Sequence, residues 1–176
     1  MKKVIVAVDS FKGSLTSAEA NLAVESGINA LYPECDVKKV SVADGGEGTT
    51  AAIIETLSGE WREVEVHDPL MRAIKAKYGI INGGKCAVIE VASASGLTLL
   101  SNNERDPLKS SSYGFGEMID DAINQGCREF IIGIGGSATC DAGVGMLEAL
   151  GYRFFDGNGD EIKGLCGGKL SDIKEI

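Results

Sequence analysis

The sequence predicts an α/β fold, with a mixed or parallel sheet and flanking helices. Short β-branched runs alternate with helical patterns, beginning with residues 4–8 and the amphipathic stretch 17–31. Polar glycine-rich loops follow several of these runs, in the position where open α/β sheets bind their ligands. The stretch 61–91 departs from this alternation, because three strand-like segments follow one another closely. We therefore expect an antiparallel part within the sheet.

The first elements form a strand, a capped helix and a second strand. Val4–Val8 is a continuous apolar run, typical of a buried parallel strand. Thr16 and Glu19 then form the T-x-x-E pattern of a capping box at the start of a helix. The apolar face of this helix comprises Ala20, Ala23, Val24, Ile28 and Leu31. A second strand at 37–42 leads to a helix at 49–57.

The later elements follow from the same periodicities. Strands are predicted at 61–66, 74–81, 86–91, 129–134 and 152–155, and helices at 113–125 and 143–150. The turn Asn82-Gly83-Gly84 is a hairpin signal. The G-x-x-x-x-G-K pattern that ends at Lys85 is therefore expected to be a hairpin turn, because a strand rather than a helix follows it.

The composition is that of a globular protein with an excess of glycine. The chain is 44% hydrophobic and 24% charged, while 24 of its 176 residues are glycine, about twice the usual share. The 17 basic and 26 acidic residues give a net charge of −9 without a basic stripe, so nucleic acid is not an expected partner. Phosphate binding by such an acidic chain would need a metal cation or backbone N–H groups.

Cysteine usage and the apolar runs indicate a cytoplasmic protein. The five cysteines form no C-x-x-C pair and fit reduced thiols in a cytosol. Asp9 interrupts the first apolar run too early for a signal sequence, and no run is long enough to span a membrane, so a membrane partner is not expected. His67 is the only histidine, which excludes metal sites with several histidine ligands.

Polar side chains follow the first predicted strand, at Asp9, Ser10 and Lys12. At the end of a strand, these residue types can bind a metal, a hydroxyl group or a phosphate. The alternative is a helix-entry loop whose polar side chains only satisfy backbone N–H groups. Lys12 favours the ligand site, because capping a helix does not require a lysine.

A second candidate loop runs from Asp44 to Thr49 and opens a helix. Gly45 and Gly46 let a ligand approach the backbone, and a helix N-terminus favours anions. Asp44 and Glu47 would repel a phosphate unless Mg²⁺ lies between, or unless one carboxylate accepts a proton from an alcohol. The structural alternative makes Asp44 an N-cap residue and lets Glu47 complete a capping box.

A third candidate loop runs from Gly133 to Gly143, after a strand and before a helix. The N–H groups of successive small residues, such as Gly135 and Gly136, can form a nest for phosphate oxygens. Its polar side chains are Ser137 and Thr139, which supply hydroxyl groups, and Asp141, a metal ligand or base. The alternative is a structural turn, but a run of small residues adds no packing.

The third loop also allows a different function, that of an NAD-dependent oxidoreductase. Gly133, Gly135 and Ala138 match the dinucleotide pattern G-x-G-x-x-[G/A], and Asp156 ends the next predicted strand about 20 residues on. The segment 139–141 delays the helix that should follow such a loop at once, and the loop comes late in the chain. Both features argue against the oxidoreductase.

Three segments together resemble the bacterial type I glycerate kinase family. They run from Val8 to Leu15, from Ala43 to Thr49 and from Ile134 to Thr139. The segment Glu90–Leu97, the pair Pro107-Leu108 and the triplet Ser112-Tyr113-Gly114 are also similar to this family. The likeness extends over the whole chain.

The resemblance implies an ATP-dependent kinase that uses Mg²⁺ to phosphorylate D-glycerate, on a fold of two α/β domains. It implies phosphate binding by Gly135–Thr139, which includes Gly136 and Ser137. Asp44 and Asp141 would bind Mg²⁺ or the substrate hydroxyl, and Lys12 would contact anionic oxygens. Asp9, Ser10, Gly45, Gly46 and Glu47 complete the expected substrate and phosphate site.

The chain departs from the family pattern in two respects. Cys140 and Ala142 stand where the family has Asn and Gly, although Asp141 is retained. Family members also continue well past the point that matches Ile176. We therefore expect residues 1–176 to be the N-terminal portion of a glycerate kinase, with both domains incomplete and no turnover alone. A separate chain carrying the C-terminal half is the partner that activity would then require.

Overall fold

The computed structural model describes residues 2–11 and 14–176 as an α/β fold. Its strands are β1 (Lys3–Val6), β2 (Asp36–Lys39), β3 (Glu60–His67), β4 (Ala73–Ile81), β5 (Cys86–Glu90), β6 (Glu129–Gly133), β7 (Phe154–Phe155) and β8 (Glu161–Ile162). Its helices are α1 (Ser17–Leu31), α2 (Thr49–Leu57), α3 (Ala92–Ser95), α4 (Tyr113–Asn124) and α5 (Val144–Ala149). Short 3₁₀ turns cover Leu97–Leu99, Asn102–Glu104 and Gly167–Asp172.

The first unit is the predicted strand–helix–strand, in which β1 and β2 pair in parallel from Lys3 opposite Asp36. Helix α1 begins with the predicted capping box. The Thr16 hydroxyl accepts from the N–H of Glu19, and the Glu19 carboxylate accepts from the N–H of Thr16. The expectation of a strand buried on both faces was wrong, because Ile5 is 66% exposed. The two strands form a sheet by themselves, and within residues 2–11 and 14–176 no further strand pairs with them.

The apolar face predicted for α1 is also mostly exposed. Ala20 is buried, but Val24 is 42% and Leu31 77% exposed. The spacing of these residues is helical, as predicted. Burial requires an element packed against that face, and the sequence pattern of the helix does not supply one.

The central sheet has the strand order β3-β4-β5-β6 and is mixed, as the sequence predicted. The first three strands are antiparallel neighbours, and β6 pairs with β5 in parallel, with Glu90 opposite Gly133. The β4–β5 turn confirms the hairpin signal, because Asn82 and Gly83 both have positive φ, at 54° and 64°. Lys85 therefore lies in a hairpin and not before a helix.

The main hydrophobic core lies between this sheet and α4. Tyr78, Ile89 and Met118 are fully buried there. Helix α4 approaches β3 so closely that a Cβ on Gly114 would lie 1.7 Å from the backbone oxygen of His67. Only glycine fits this position of the first turn, since the neighbouring atom is backbone.

A polar cluster joins β3, β4 and α4 beside this core. The Tyr78 hydroxyl donates to the Asp121 carboxylate at 2.6 Å, and Arg62 Nε donates to it at 3.2 Å. Burial opposes ionisation of Asp121, but these hydrogen bonds outweigh it and hold the pKa of Asp121 below its usual value. Burial is the largest cause that raises the pKa of the Tyr78 phenol, so it stays a hydrogen-bond donor.

Strand β6 is an edge of the central sheet. Ile131 and Ile132 are 40% and 42% exposed, although they point to opposite faces, and Ile134 beyond the strand is 77% exposed. An apolar edge of this kind is a template for another strand. Within the described residues, no helix is long and apolar enough to cross a membrane.

The C-terminal part packs around a small separate core. Phe154, Leu165 and Val144 are buried together, and β7 pairs with β8 in a two-stranded antiparallel sheet. The strand predicted at 152–155 is shorter than expected. Tyr152 lies outside it and is 55% exposed.

Candidate functional site

The predicted loops lie at the C-terminal ends of parallel strands. We call residues 9–11 and 14 the first loop, residues 44–49 the second loop and residues 133–143 the third loop. The first loop follows β1, the second follows β2, and the third follows β6. Residues 91–97, which follow β5 and contain α3, are called the α3 segment. Carboxyl ends of parallel strands are the usual ligand positions of open α/β sheets.

The second and third loops pack directly on each other through backbone atoms. The N–H of Gly135 donates to the carbonyl of Gly45 at 3.1 Å. A Cβ on Gly135 would lie 2.7 Å from Cα of Gly46, and one on Gly133 would lie 2.8 Å from the oxygen of Gly45. The absence of side chains at these glycines therefore allows two backbone segments to approach closely, as the sequence predicted for a ligand. The close neighbour found here is the other loop.

The third loop also bonds to the α3 segment. The N–H of Leu97 donates to the carbonyl of Gly136 at 2.9 Å, and the N–H of Ala138 donates to that of Ser95 at 2.8 Å. Gly136 has φ 76°, a conformation that favours glycine. These contacts bring the end of β5 into the same cluster of loops.

Part of the predicted phosphate nest is used within the protein. The N–H groups of Gly135 and Ala138 donate to carbonyls, and that of Thr139 donates to the Ser137 hydroxyl at 3.1 Å. The Ser137 and Thr139 hydroxyl groups are 2.9 Å apart and hydrogen-bonded. Phosphate binding at Gly135–Thr139 stays a prediction, and it rests on fewer N–H groups than the sequence suggested.

A cavity of about 310 Å³ separates the first loop from the second. Ser10 lines one side, and Glu47 and Gly48 line the other. The Asp9 carboxylate accepts a hydrogen bond from the N–H of Ser10 at 2.7 Å, and Asp9 itself is exposed. Lys12, the predicted contact for anionic oxygens, lies outside the described residues.

The structural alternative for the second loop was wrong. The N-cap of α2 is Gly48, at φ 90°, and not Asp44. Asp44 instead accepts a hydrogen bond from the N–H of Gly46 at 3.0 Å and is exposed beside the start of the helix. Glu47 is exposed as well.

Asp141, near the end of the third loop, is buried at 2% exposure. One carboxylate oxygen, Oδ2, accepts from the N–H of Ser112 at 2.7 Å, from its hydroxyl at 2.8 Å and from the N–H of Gly145 at 3.3 Å. The other oxygen accepts from the N–H of Gly143 at 3.1 Å. Asp141 therefore ties the third loop and α5 to the start of α4.

The two predicted metal ligands differ in what they offer. The hydrogen bonds of Asp141 fill both of its oxygens and favour a structural role, while Asp44 is exposed at the loop surface. Across residues 2–11 and 14–176, no three side chains of His, Cys, Asp or Glu cluster as a metal site. Mg²⁺ often takes only one or two carboxylates together with substrate phosphates. Metal binding by Asp44 and Asp141 stays a prediction.

Replacing Asp141 by Asn is expected to destabilise the fold by about 1–3 kcal/mol. In asparagine an N–H₂ group replaces one of the two carboxylate oxygens. Both oxygens accept hydrogen bonds in Asp141, so the new donor would face another donor in a buried position. Urea unfolding of the chain measures the cost. Asp120→Asn, at an exposed position of α4, is the matched control and should change stability little. Equal unfolding midpoints for both variants would contradict the structural role.

The structure does not support the oxidoreductase alternative. The helix after the third loop, α5, begins at Val144, well beyond the glycine pattern. The strand that follows it, β7, pairs with β8 and not with β6. Asp156 accepts from the N–H groups of Asn158 and Asp160 in the β7–β8 turn, so it is not the acid at the end of a neighbouring parallel strand.

Sequence reasoning did not single out two buried side chains at these loops, Glu90 and Ser112. Glu90 ends β5 and accepts from the N–H of Thr50 at 2.7 Å. Ser112 donates to Asp141 from its N–H and its hydroxyl group, and that hydroxyl accepts from the N–H of Met146 at 2.9 Å. Both lie in the shorter segments, 90–97 and 112–114, that resemble the family. This resemblance was the sequence feature that could have indicated them.

Comparison with known proteins gives a consistent result. The model of the glycerate kinase family matches residues 4–176. The glycerate kinase of Bacillus subtilis is 45% identical over 174 residues, which are 99% of this chain and 45% of that protein. The glycerate 2-kinase of Escherichia coli is also 45% identical, with the same coverage. A crystal structure of a protein from Salmonella typhimurium LT2 matches with a TM-score of 0.86 and 43% identity, covering 99% of this chain and 46% of that one. The chain thus spans about half the length of the relatives it matches.

Proposed function

The chain belongs to the glycerate kinase family, and we propose from this premise that it carries ligand-binding loops of an ATP-dependent glycerate kinase. The reaction transfers the γ-phosphoryl group of ATP to D-glycerate and yields a phosphoglycerate. The observation that carries the proposal is the packing of the second loop on the third, at Gly45, Gly46 and Gly135. This contact unites two glycine-rich loops at strand ends, where small ligands of α/β proteins bind.

Asp44 is our first choice for the residue that acts on the reacting groups. Its carboxylate is exposed next to the N-terminus of α2 and close to the Gly46–Gly135 contact. It can accept a proton from the glycerate hydroxyl or hold Mg²⁺, and both roles need a carboxylate that a ligand can reach. Bound Mg²⁺ would neutralise charge on the transferring phosphate. Asp141 comes second, because it is only 2% exposed and a ligand cannot reach it without a rearrangement.

The remaining loop residues are proposed to hold the anionic parts of the two substrates. Ser137 and Thr139 offer hydroxyl groups on the third loop, and Gly136 leaves its backbone accessible to a ligand. Ser10 lines the cavity with Glu47 opposite, and the exposed Asp9 precedes Ser10 and accepts from its N–H. Lys12 would supply a positive charge for the anionic groups of the substrates. A kinase of this kind works mainly by positioning and by charge neutralisation.

We place the enzyme in the cytoplasm. All five cysteines are free, among them Cys35, Cys86 and Cys127 in buried positions. Unpaired thiols support a reducing compartment.

A second polypeptide region is the partner that we propose for activity. The chain spans about half of its relatives, and the exposed edge of β6 offers backbone groups to a further strand. The β1–β2 sheet has only two strands among the described residues. Parallel sheets are usually covered on both faces, so we expect further structure to pack on this one. The other half of the family fold would cover these surfaces and complete the cleft.

A chimera tests the activity. The chain is joined to the part of the Bacillus subtilis glycerate kinase that follows the region it matches. We expect the chimera to consume ATP in the presence of D-glycerate and Mg²⁺, and the 176-residue chain alone to show no turnover. An ADP-coupled assay measures both, with NAD and glycerate as a control for oxidoreductase activity. A folded chimera that binds ATP without glycerate-dependent turnover would contradict the assignment of substrate.

A further inference from the structure

Glu90 is a buried carboxylate that the proposed mechanism does not use. It is the last residue of β5 and only 8% exposed, and its Oε1 accepts a hydrogen bond from the N–H of Thr50 at 2.7 Å. Thr50 lies in the first turn of α2. Burying a carboxylate is costly unless it is hydrogen-bonded, and here the N–H of Thr50 supplies a hydrogen bond.

The bond from Thr50 to Glu90 supplies a cap that the helix does not make by itself. The N-cap residue of α2 is Gly48, which has no side chain to accept from the first-turn N–H groups. Glu90 provides the acceptor from a strand far along the chain. The negative charge also interacts favourably with the N-terminal end of the helix dipole. The start of α2, and with it the end of the second loop, is thereby fixed to β5.

Glu90 also lies beside the start of the third loop. Glu90 pairs with Gly133 across the β5–β6 ladder, and the N–H of Val91 donates to the carbonyl of Gly133 at 2.9 Å. A Cβ on Gly133 would lie 3.4 Å from Cγ of Glu90 and 2.8 Å from the oxygen of Gly45. Glu90, Gly133 and Gly45 thus form one packed layer at the junction of the two loops.

We propose that Glu90 is a positioning residue that sets the second loop against the third. It acts through Thr50 and Gly133, and its Oε1 accepts from a backbone N–H. The expected effect of Glu90 on catalysis rests on the proposed function. Its effect on the position of the two loops does not depend on that function. If Glu90 has this role, its side chain must offer a hydrogen-bond acceptor to the N–H of Thr50. The negative charge should matter less than this acceptor.

Amide hydrogen exchange of the chain tests the positioning without any assay of activity. Glu90→Leu removes the acceptor and should speed exchange in residues 44–50 and 133–138 by about tenfold. Glu90→Gln keeps an acceptor and should stay within about threefold of the original rates. Glu129→Gln, at the exposed start of β6, is the matched control and should change neither segment. Unchanged exchange in Glu90→Leu would overturn the proposal, as would an equal increase throughout β3 and β4.

Gly133→Ala tests the same layer from its other side, in case Glu90→Leu does not fold. The added methyl group would meet the Gly45 carbonyl, so exchange should again increase in residues 44–50. Protection of these residues equal to that of the original chain would overturn the proposal.

The active chimera separates positioning from direct catalysis. Glu90→Gln should retain kcat within about threefold and leave the pH profile unchanged, while Glu90→Leu should lower kcat by about tenfold or more. A loss in Glu90→Gln as large as in Glu90→Leu would show that the charge acts on the reaction and would overturn the positioning role. An inactive chimera would count against the proposed function, and the exchange experiment would still decide on Glu90.

Discussion

Replacing Asp44 by Asn in the active chimera is expected to lower kcat/KM for glycerate by about a hundredfold or more. Asn is isosteric and can still accept the hydrogen bond from the N–H of Gly46, so the turn should survive. The neutral amide can neither take a proton nor balance Mg²⁺, so the loss in turnover should far exceed any loss in stability. Steady-state kinetics measure the first, and urea unfolding measures the second.

Asp36→Asn is the matched control for Asp44. Asp36 is exposed at the start of β2, and its carboxylate forms a surface ion pair with Lys3 at 3.8 Å, which contributes little. Its replacement should leave kcat/KM unchanged. Near-normal turnover in Asp44→Asn would remove Asp44 from the reaction and return the catalytic role to Asp141.

Replacing Gly114 by Ala is expected to cause the largest loss of stability, about 3 kcal/mol or more. The new methyl group would overlap the backbone oxygen of His67, so α4 would have to move away from β3. That movement would open the main core around Met118 and Phe115. Urea unfolding followed by circular dichroism measures the change.

Gly27→Ala supplies the comparison within the same protein. Gly27 lies in α1, and a Cβ there has no neighbour within 4 Å. Alanine at an open helical position should stabilise the helix by about 0.5–1 kcal/mol. We therefore expect Gly114→Ala to lower the free energy of unfolding and Gly27→Ala to raise it. A Gly114→Ala variant as stable as the original chain would mean that α4 does not lie as close to β3 as described.

Local sequence signals predicted the elements well. Helix α2 occupies 49–57, the capping box at Thr16 forms, and the Asn82-Gly83 turn joins two antiparallel strands. Each of these depends on residues that are neighbours in the sequence. Burial was harder to predict, because the apolar faces of β1 and α1 need a partner element, and Ile5 and Leu31 are exposed.

In the site too, local features were predicted from the sequence and contacts between distant segments were not. Sequence reasoning located the three loops from their polar and small residues, and the structure places the second against the third. It could not predict that Asp141 bonds to Ser112, or that Glu90 caps α2, because these partners are distant in the chain. A run of small residues indicates that something approaches closely. It does not say whether that neighbour is a ligand or another loop.

The contact between Gly45 and Gly135 has a consequence for the order of folding. The β3–β4–β5 meander joins residues that are close in sequence, so we expect it to form early. The Gly45–Gly135 bond closes a loop that encloses the entire meander and α4, and the entropy of closing that loop must be overcome first. The two glycine-rich loops should therefore meet last, after the core that holds them is complete. Stopped-flow refolding with a probe near residue 45 should report this docking as the slowest phase.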